Sequence, residues 1–466
     1  MILVIAVGLV FLPASGAAAL INADALDELL RDRVDSYLIP GLSVAIAHEG
    51  EIIYSQAFGE GVDRETRFYI GSVTKSFTAL AIMQLVEQDM VDLDEAVSVH
   101  IPEFTLSDQI TVRHLLYHMS GMTEYDYMPS LRAESGYEEL IQDMQGMRIR
   151  HEPGTRFSYF NPNYSLLGMI IEKVSGTSYS QYLETNILDP LGLDHTSVRG
   201  EVDIVGHLSL FGFTVKRHEP VLNYRLPSGY LTSTAEDLAR YMELLRARAP
   251  ELGVSPEAVA LMQSGEPYGM GWIVGDRVGH PDIHHAGSLP GFRSEAIMLR
   301  DGGYSIAILT NKNHVLYSFY AFPKLAETIV SELLGEDLPR DTPLIAIMRG
   351  LLVALLLMIV VEVLRLRSVV ICPHPRSMRR RLLVMNLAVL LTVFQFVPMA
   401  VKYLSRRGFA WRMALLQAPD LMIMLFAIVV FNTAKAMVHI SHLVRSREED
   451  EVVLLDSLET HSRVDS

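Results

Sequence analysis

The sequence predicts an α/β (α+β) domain followed by three transmembrane helices. Three observations carry this. The stretch from Ser72 to Glu87 is apolar on nearly every side, as a helix buried deep in a domain would be. Gly41 to Phe58 alternates apolar and polar residues around a turn signal, and Ser294 to Leu299 and Tyr304 to Thr310 read as two strands joined at Asp301-Gly302-Gly303. After Pro343 come three apolar stretches, about 344–364, 382–402 and 413–438, each near the length that crosses ~30 Å of hydrocarbon.

Length and composition bound the rest. The chain has 466 residues, half of them hydrophobic, with a mean hydropathy of +0.24 that is high for a wholly soluble protein. Acidic residues outnumber basic ones by 55 to 39, and a net charge of −16 argues against a nucleic-acid partner. The single cysteine, Cys372, excludes an intramolecular disulfide framework and a cysteine-rich metal site. No metal and no cofactor is implied. The expected partners are a small-molecule or peptide substrate and membrane lipid; protein partners are left open.

In chain order, residues 1–20 read as a signal peptide or N-terminal anchor. Ile2 to Leu12 is apolar and Ala17-Ala18-Ala19 supplies small residues, though no Lys or Arg precedes the run. A domain spanning 21–340 follows. Ala23 to Leu38 is an amphipathic helix, and His48-Glu49-Gly50 turns a hairpin. Thr111 caps a helix stopped at Gly121, and it carries His114 and His118 at i and i+4. That spacing suits a metal, but Leu115 stands where the zincin pattern needs Glu, so the pair reads as structural. Pro162 breaks regular structure, placing Tyr159 and Asn161 on a loop before a helix from Ser165 to Val174. Ser233-Thr234-Ala235-Glu236 is a capping box opening the next helix. Strands then begin around Tyr268 to Val274.

A buried helix should not begin with a serine and a lysine unless something uses them. Ser72 and Lys75 lie at i and i+3, on one face and one turn apart. The helix N-terminus adds positive potential, favouring an alkoxide on Ser72 and a neutral amine on Lys75. A desolvated neutral lysine beside a serine hydroxyl is an activated nucleophile pair. A lone S-x-x-K arises about once by chance in a chain of this length, so the motif needs company.

The company is there. Pro40-Gly41-Leu42-Ser43-Val44-Ala45, Ser72 to Lys75, His114 to Gly121, Tyr159-Phe160-Asn161 and His285-Ala286-Gly287 occur in order. Together they resemble the serine β-lactamase and penicillin-binding-protein superfamily, in its class C-like branch of esterases and D-amino-acid peptidases. The resemblance covers most of residues 25 to 335. It implies a β-lactamase/transpeptidase-like fold, an antiparallel sheet flanked by helices with an inserted helical subdomain. It also implies roles: Ser72 as nucleophile, Lys75 keeping it poised, and Tyr159 as second proton carrier. Asn161 would bond Lys75 and a substrate amide, Gly287 would admit the substrate, and the backbone N–H groups of Ser72 and Ser288 would form the oxyanion hole. One departure matters: class C β-lactamases usually have lysine where this chain has His285. Histidine there favours the peptidase and esterase branches. The expected function is a membrane-anchored serine hydrolase cleaving an extracytoplasmic amide or ester through a Ser72 acyl-enzyme, with a β-lactamase or a non-catalytic cell-wall peptide receptor as alternatives.

The C-terminal third, 341–440, carries the three apolar stretches, and 441–466 reads as a charged cytoplasmic tail, disordered apart from Val452 to Leu455. The arginines of the loop from Arg365 to Arg381 put that loop in the cytoplasm and the catalytic domain outside. Such a layout resembles membrane-bound prodrug-activating peptidases that remove an N-acyl-D-amino-acid cap. Arg349 and Asp420 are expected to pair, joining the first and third spans, the alternative being that Arg349 snorkels to headgroups while Asp420 sits at the water boundary after Pro419.

Overall fold

Alternation along the chain becomes one antiparallel sheet. Its strands are β1 (Leu42–His48) and β2 (Glu51–Phe58) from the N-terminal side, then β7 (Ile273–Arg277), β8 (His280–Leu289), β9 (Phe292–Leu299) and β10 (Tyr304–Thr310). Three shorter pairings lie between and after them: β3 (Phe68–Tyr69) with β6 (Thr232–Ser233), β4 (Gly206–Leu210) with β5 (Phe213–Arg217), and β11 (Lys312–Asn313) with β4. The large sheet runs in the order β2-β1-β10-β9-β8-β7. Strands far apart in sequence meet inside it, where Leu42 pairs with Thr310 and His48 with Tyr304. The computed structural model describes residues 22–106, 108–124, 126–127, 135–198, 202–338, 343–371, 375–396 and 418–464. The expected signal peptide or anchor, 1–20, lies outside them.

Both faces of the sheet are covered, so β1 is buried along nearly all its length. Its period-2 geometry sends Val44 and Ile46 to one core and Ala45 and Ala47 to the other. The first core holds α1 (Ala23–Tyr37) and a helix from Phe322 to Leu334. The second holds α2 (Thr74–Glu87), helices Pro162–Ser175 and Ala235–Ala247, and the inserted helical region. Every residue of α2 from Thr74 to Leu85 is buried, as the apolar run predicts.

Several boundaries differ from the sequence expectations. Pro162 does not interrupt structure; it opens the helix, because a proline at the first helical position gives up an N–H that has no partner there. The helix after Thr111 ends at Leu116, well before Gly121. Gly121 serves a close approach instead: a Cβ there would meet the His151 carbonyl at 2.0 Å. The cap of the Ala235 helix is Thr234, whose side chain accepts from the Asp237 N–H. His114 and His118 turn to different partners. His114 Nδ1 accepts from the Thr111 N–H, and His118 Nδ1 accepts from the Phe160 N–H.

Two helices, Leu344–Ile371 and Pro419–Val453, are long and apolar enough to cross a membrane among the described residues. Their outward faces carry Val353, Leu357, Val360, Phe426 and other large apolar side chains. The expected second span is helical from Arg376 to Leu391 and continues to Phe396; its remainder lies outside the described residues. The chain from Pro419 is one helix to Val464, so the charged tail is helical rather than irregular. Arg376 pairs with Asp450 of that tail, and Arg447 with Glu451 at i,i+4.

The expected Arg349–Asp420 pair does not form. Asp420 sits in the first turn of its helix, where it reaches the catalytic domain: Oδ1 is 2.8 Å from His314 Nε2, and Oδ2 accepts from the Phe211 N–H. The Arg349 guanidinium lies 5.8 Å from the Phe213 ring. A different pair joins the same two helices, Glu362 to Lys435 at 2.5 Å, with both side chains largely buried.

Candidate active site

Gly71 positions Ser72, the expected nucleophile. Its φ of +52° suits glycine, and a Cβ there would lie 2.6 Å from the Ser288 nitrogen. The chain then makes a 3₁₀ turn, Gly71–Val73, and runs into α2, which sets Ser72 at the mouth of a buried helix. One turn on, Lys75 is fully buried. Its Nζ lies 3.0 Å from Ser72 Oγ, 2.9 Å from Asn161 Oδ1 and 2.5 Å from the Ser228 carbonyl. Two of these partners can only accept. A neutral amine therefore gives its two N–H groups to Asn161 and Ser228 and turns its lone pair to the Ser72 hydroxyl; an ammonium donates to all three.

Asn161 comes from the N-cap of the Pro162 helix, which fixes its backbone beside α2. Tyr159 stands just before it, and the Lys75 Nζ lies 5.0 Å from the centre of its ring. The Tyr159 ring packs on His118 at 4.3 Å and on Tyr268 at 5.9 Å. Tyr164, one turn into the helix, donates its hydroxyl to the Leu116 carbonyl, and complete burial holds that phenol well above the usual range.

The third wall is β8. A Cβ on Gly287 would meet the Ile70 carbonyl at 2.0 Å, so only glycine lets this strand run against the Ser72 corner. Ser294 on β9, paired opposite Gly287, donates its hydroxyl to the same Ile70 carbonyl at 2.7 Å. The Ser288 backbone nitrogen thus lies against Gly71, beside Ser72, as a two-donor oxyanion hole needs. The Ser288 hydroxyl accepts from Asn313 Nδ2 at 2.8 Å.

His285 lies on the same strand, beside Gly287. It is buried, and its Nδ1 lies 2.9 Å from the Ala286 carbonyl, so Nδ1 carries the proton. Nε2 is 3.0 Å from the Tyr268 hydroxyl. The Tyr159 ring centre is 6.3 Å away. His285 therefore backs Tyr268.

The structure brings Ser72, Lys75, Tyr159, Asn161, Gly287 and Ser288 together, with the His285 ring 6.3 Å from that of Tyr159. It adds three residues that the sequence reading did not place here: Ser228, Tyr268 and His118. Ser228 acts through its backbone carbonyl, which leaves no side-chain signature. Tyr268 stands out only as the aromatic ahead of Gly269, and His118 as half of the i,i+4 pair. At the edge, Tyr230 packs edge-on against Tyr69 and donates to Glu219, whose carboxyl burial pushes up to about 7.

Comparison with known proteins agrees with this geometry. Residues 26–327 match the Beta-lactamase family. Protein flp of Staphylococcus aureus (strain COL) is 29% identical over 348 residues, 66% of this chain and 66% of the relative, so the match spans just under two thirds of that protein's length. Among solved structures, the octameric penicillin-binding protein homologue from Pyrococcus abyssi is 29% identical with a TM-score of 0.61, covering 71% of this chain and 81% of that one. The D-stereospecific amidohydrolase from Streptomyces sp. is 27% identical with a TM-score of 0.54, covering 62% and 94%.

Proposed function

The chain belongs to the Beta-lactamase family, and we propose that it is a membrane-anchored serine hydrolase that cleaves an extracytoplasmic amide or ester, with a D-amino-acid peptide or ester as substrate. The observation that carries this is the Lys75 amine held at once by Ser72, Asn161 and Ser228. Lys75 accepts the Ser72 proton as Oγ attacks the substrate carbonyl carbon. The backbone N–H groups of Ser72 and Ser288 hold the oxyanion. Tyr159, beside Lys75, passes the proton to the departing amine or alkoxide. Water then attacks the acyl-Ser72 ester with the same groups in reverse. Asn161 steers the substrate amide while bonded to Lys75.

Two features support the substrate class. A solved neighbour of the chain is a D-stereospecific amidohydrolase. His285, buried behind Tyr268, replaces the permanent cation with which a β-lactamase lysine would hold a substrate carboxylate. The anchoring rests on the two apolar helices and their outward apolar side chains.

The test uses the full chain in detergent against a panel of D- and L-amino-acid p-nitroanilides, N-acyl-D-amino-acid amides, short p-nitrophenyl esters and β-lactams. The expected result is turnover of D-configured amides or short esters, absent in Ser72→Ala. Turnover confined to β-lactams would contradict the substrate class. Turnover equal in Ser72→Ala would contradict the mechanism.

A further inference from the structure

We propose that Asp420, His314 and Asn313 are positioning residues that tie the oxyanion strand of the active site to the last apolar helix. The proposal rests on the acyl-enzyme reading above. It extends the site into a part of the chain beyond the matched family region, which ends at residue 327.

The connection can be followed atom by atom. Asn313 ends β11, and its Nδ2 donates to Ser288 Oγ and to the Leu289 carbonyl, both at 2.8 Å. One amide thus holds the two residues that end β8. The amide is itself fixed: its Oδ1 accepts from the His314 N–H at 2.8 Å and from the Ser318 hydroxyl at 2.7 Å. His314 is 1% exposed. Its Nδ1 accepts from the Leu316 N–H, so Nε2 carries the proton and donates it to Asp420 Oδ1 at 2.8 Å. Asp420 is wholly buried, and its two oxygens also accept from the Leu421 and Phe211 N–H groups.

Phe211 lies in the β4–β5 turn, where Phe211 and Gly212 both have positive φ. At its other end β4 reaches the oxyanion strand again: the His207 N–H donates to the carbonyl of Gly291, in the β8–β9 turn. The Asp420 carboxylate therefore grips the mount of the oxyanion strand at two points, His314 and the β4–β5 turn. An aspartate in a first helical turn commonly serves its own helix. This one gives two of its bonds to the catalytic domain. Without the carboxylate, buried N–H groups on His314 and Phe211 lose their acceptor, and the loop carrying Asn313 must rearrange to find others.

The experiment measures fluorophosphonate labelling of the full chain in detergent, separating the limiting acylation rate from the half-saturating probe concentration. The variants are Asn313→Ala, Asp420→Ala, their combination, and Asp420→Asn, which keeps an oxygen for His314. Each alanine variant should lower the limiting rate on the order of 10- to 100-fold, the scale of an ångström-sized displacement at the reacting centre. The half-saturating concentration should hold. The double variant should be no slower than the slower single, because both cut one connection, and Asp420→Asn should recover part of the rate. A limiting rate within about twofold of wild type in Asp420→Ala, or losses that multiply in the double variant, would overturn the proposal. If Asp420→Ala does not fold, the same comparison runs with Asp420→Asn. Ser72→Ala serves as the separate control: labelling equal to wild type there would refute the acyl-enzyme reading instead.

Discussion

At the scale of single residues, the account rests on what Lys75 touches. Lys75→Met should leave the fold standing at a cost of about 1–3 kcal/mol, the penalty for stranding the Asn161 and Ser228 acceptors. Acylation of Ser72 should fall about 100- to 10,000-fold, the range general-base groups supply. Near-wild-type labelling in that variant would remove Lys75 from the mechanism. Gly287→Ala offers a second check. A Cβ placed 2.0 Å from the Ile70 carbonyl must push β8 off the Ser72 corner, so labelling should drop steeply with a loss of stability of about 1–3 kcal/mol. The serine–lysine pair was legible in the sequence because i,i+3 spacing on an apolar helix leaves little choice of geometry. His285 was legible as a member of the site, but its partner was not. Tyr268 reaches it from the segment ahead of β7, and nothing in a strand's own sequence states which side chain a neighbouring segment will bring.

At the scale of elements, the site depends on how closely two helices approach. A Cβ on Gly168, in the Asn161 helix, would lie 2.1 Å from Pro227 Cγ, in the short helix Leu226–Gly229 that supplies the Ser228 carbonyl. Gly168→Ala should therefore separate Asn161 from Ser228 and cut the acylation rate by about tenfold or more; unchanged kinetics would show that the two helices adjust without moving Lys75. A pH test belongs to the junction of α1 with β11. Burial lowers the Lys312 amine to about 8, and its Nζ donates to the Tyr37 and Leu38 carbonyls at the end of α1. The ordinary lysine value is near 10.5. Between the two, the unfolded chain binds a proton that the folded one lacks, so raising pH through this window should increase stability by up to about 1.4 kcal/mol per unit. Melting of wild type and Lys312→Met from pH 8 to 10 checks this; equal slopes would contradict it. The strands and the long helices were legible from periodicity. Pro162 was not, because the same residue that breaks a helix interior also starts a helix well.

At the scale of the whole molecule, the two long apolar helices and the catalytic domain are joined by groups whose sequence context gave no warning. Asp420 and Arg349 lie at similar depths on two apolar stretches, which suggested a pair; the catalytic domain instead offers Asp420 a histidine and a backbone N–H. Within the helices, Glu362 and Lys435 form the joining pair. Lys435→Met should lower the detergent resistance of the protein by leaving the largely buried Glu362 carboxylate with only the exposed Arg365 against it among these partners, and adding Glu362→Gln should restore part of the loss. A double variant as fragile as the single would show that the pair does not join the helices. The central claim is a covalent bond at Ser72, and the most direct measurement is the intact mass of the whole protein after brief exposure to a fluorophosphonate, followed by peptide mapping. The account predicts a single adduct on the peptide containing Ser72, absent from Ser72→Ala and slowed by Lys75→Met. An unmodified mass, or an adduct that persists in Ser72→Ala, would contradict it.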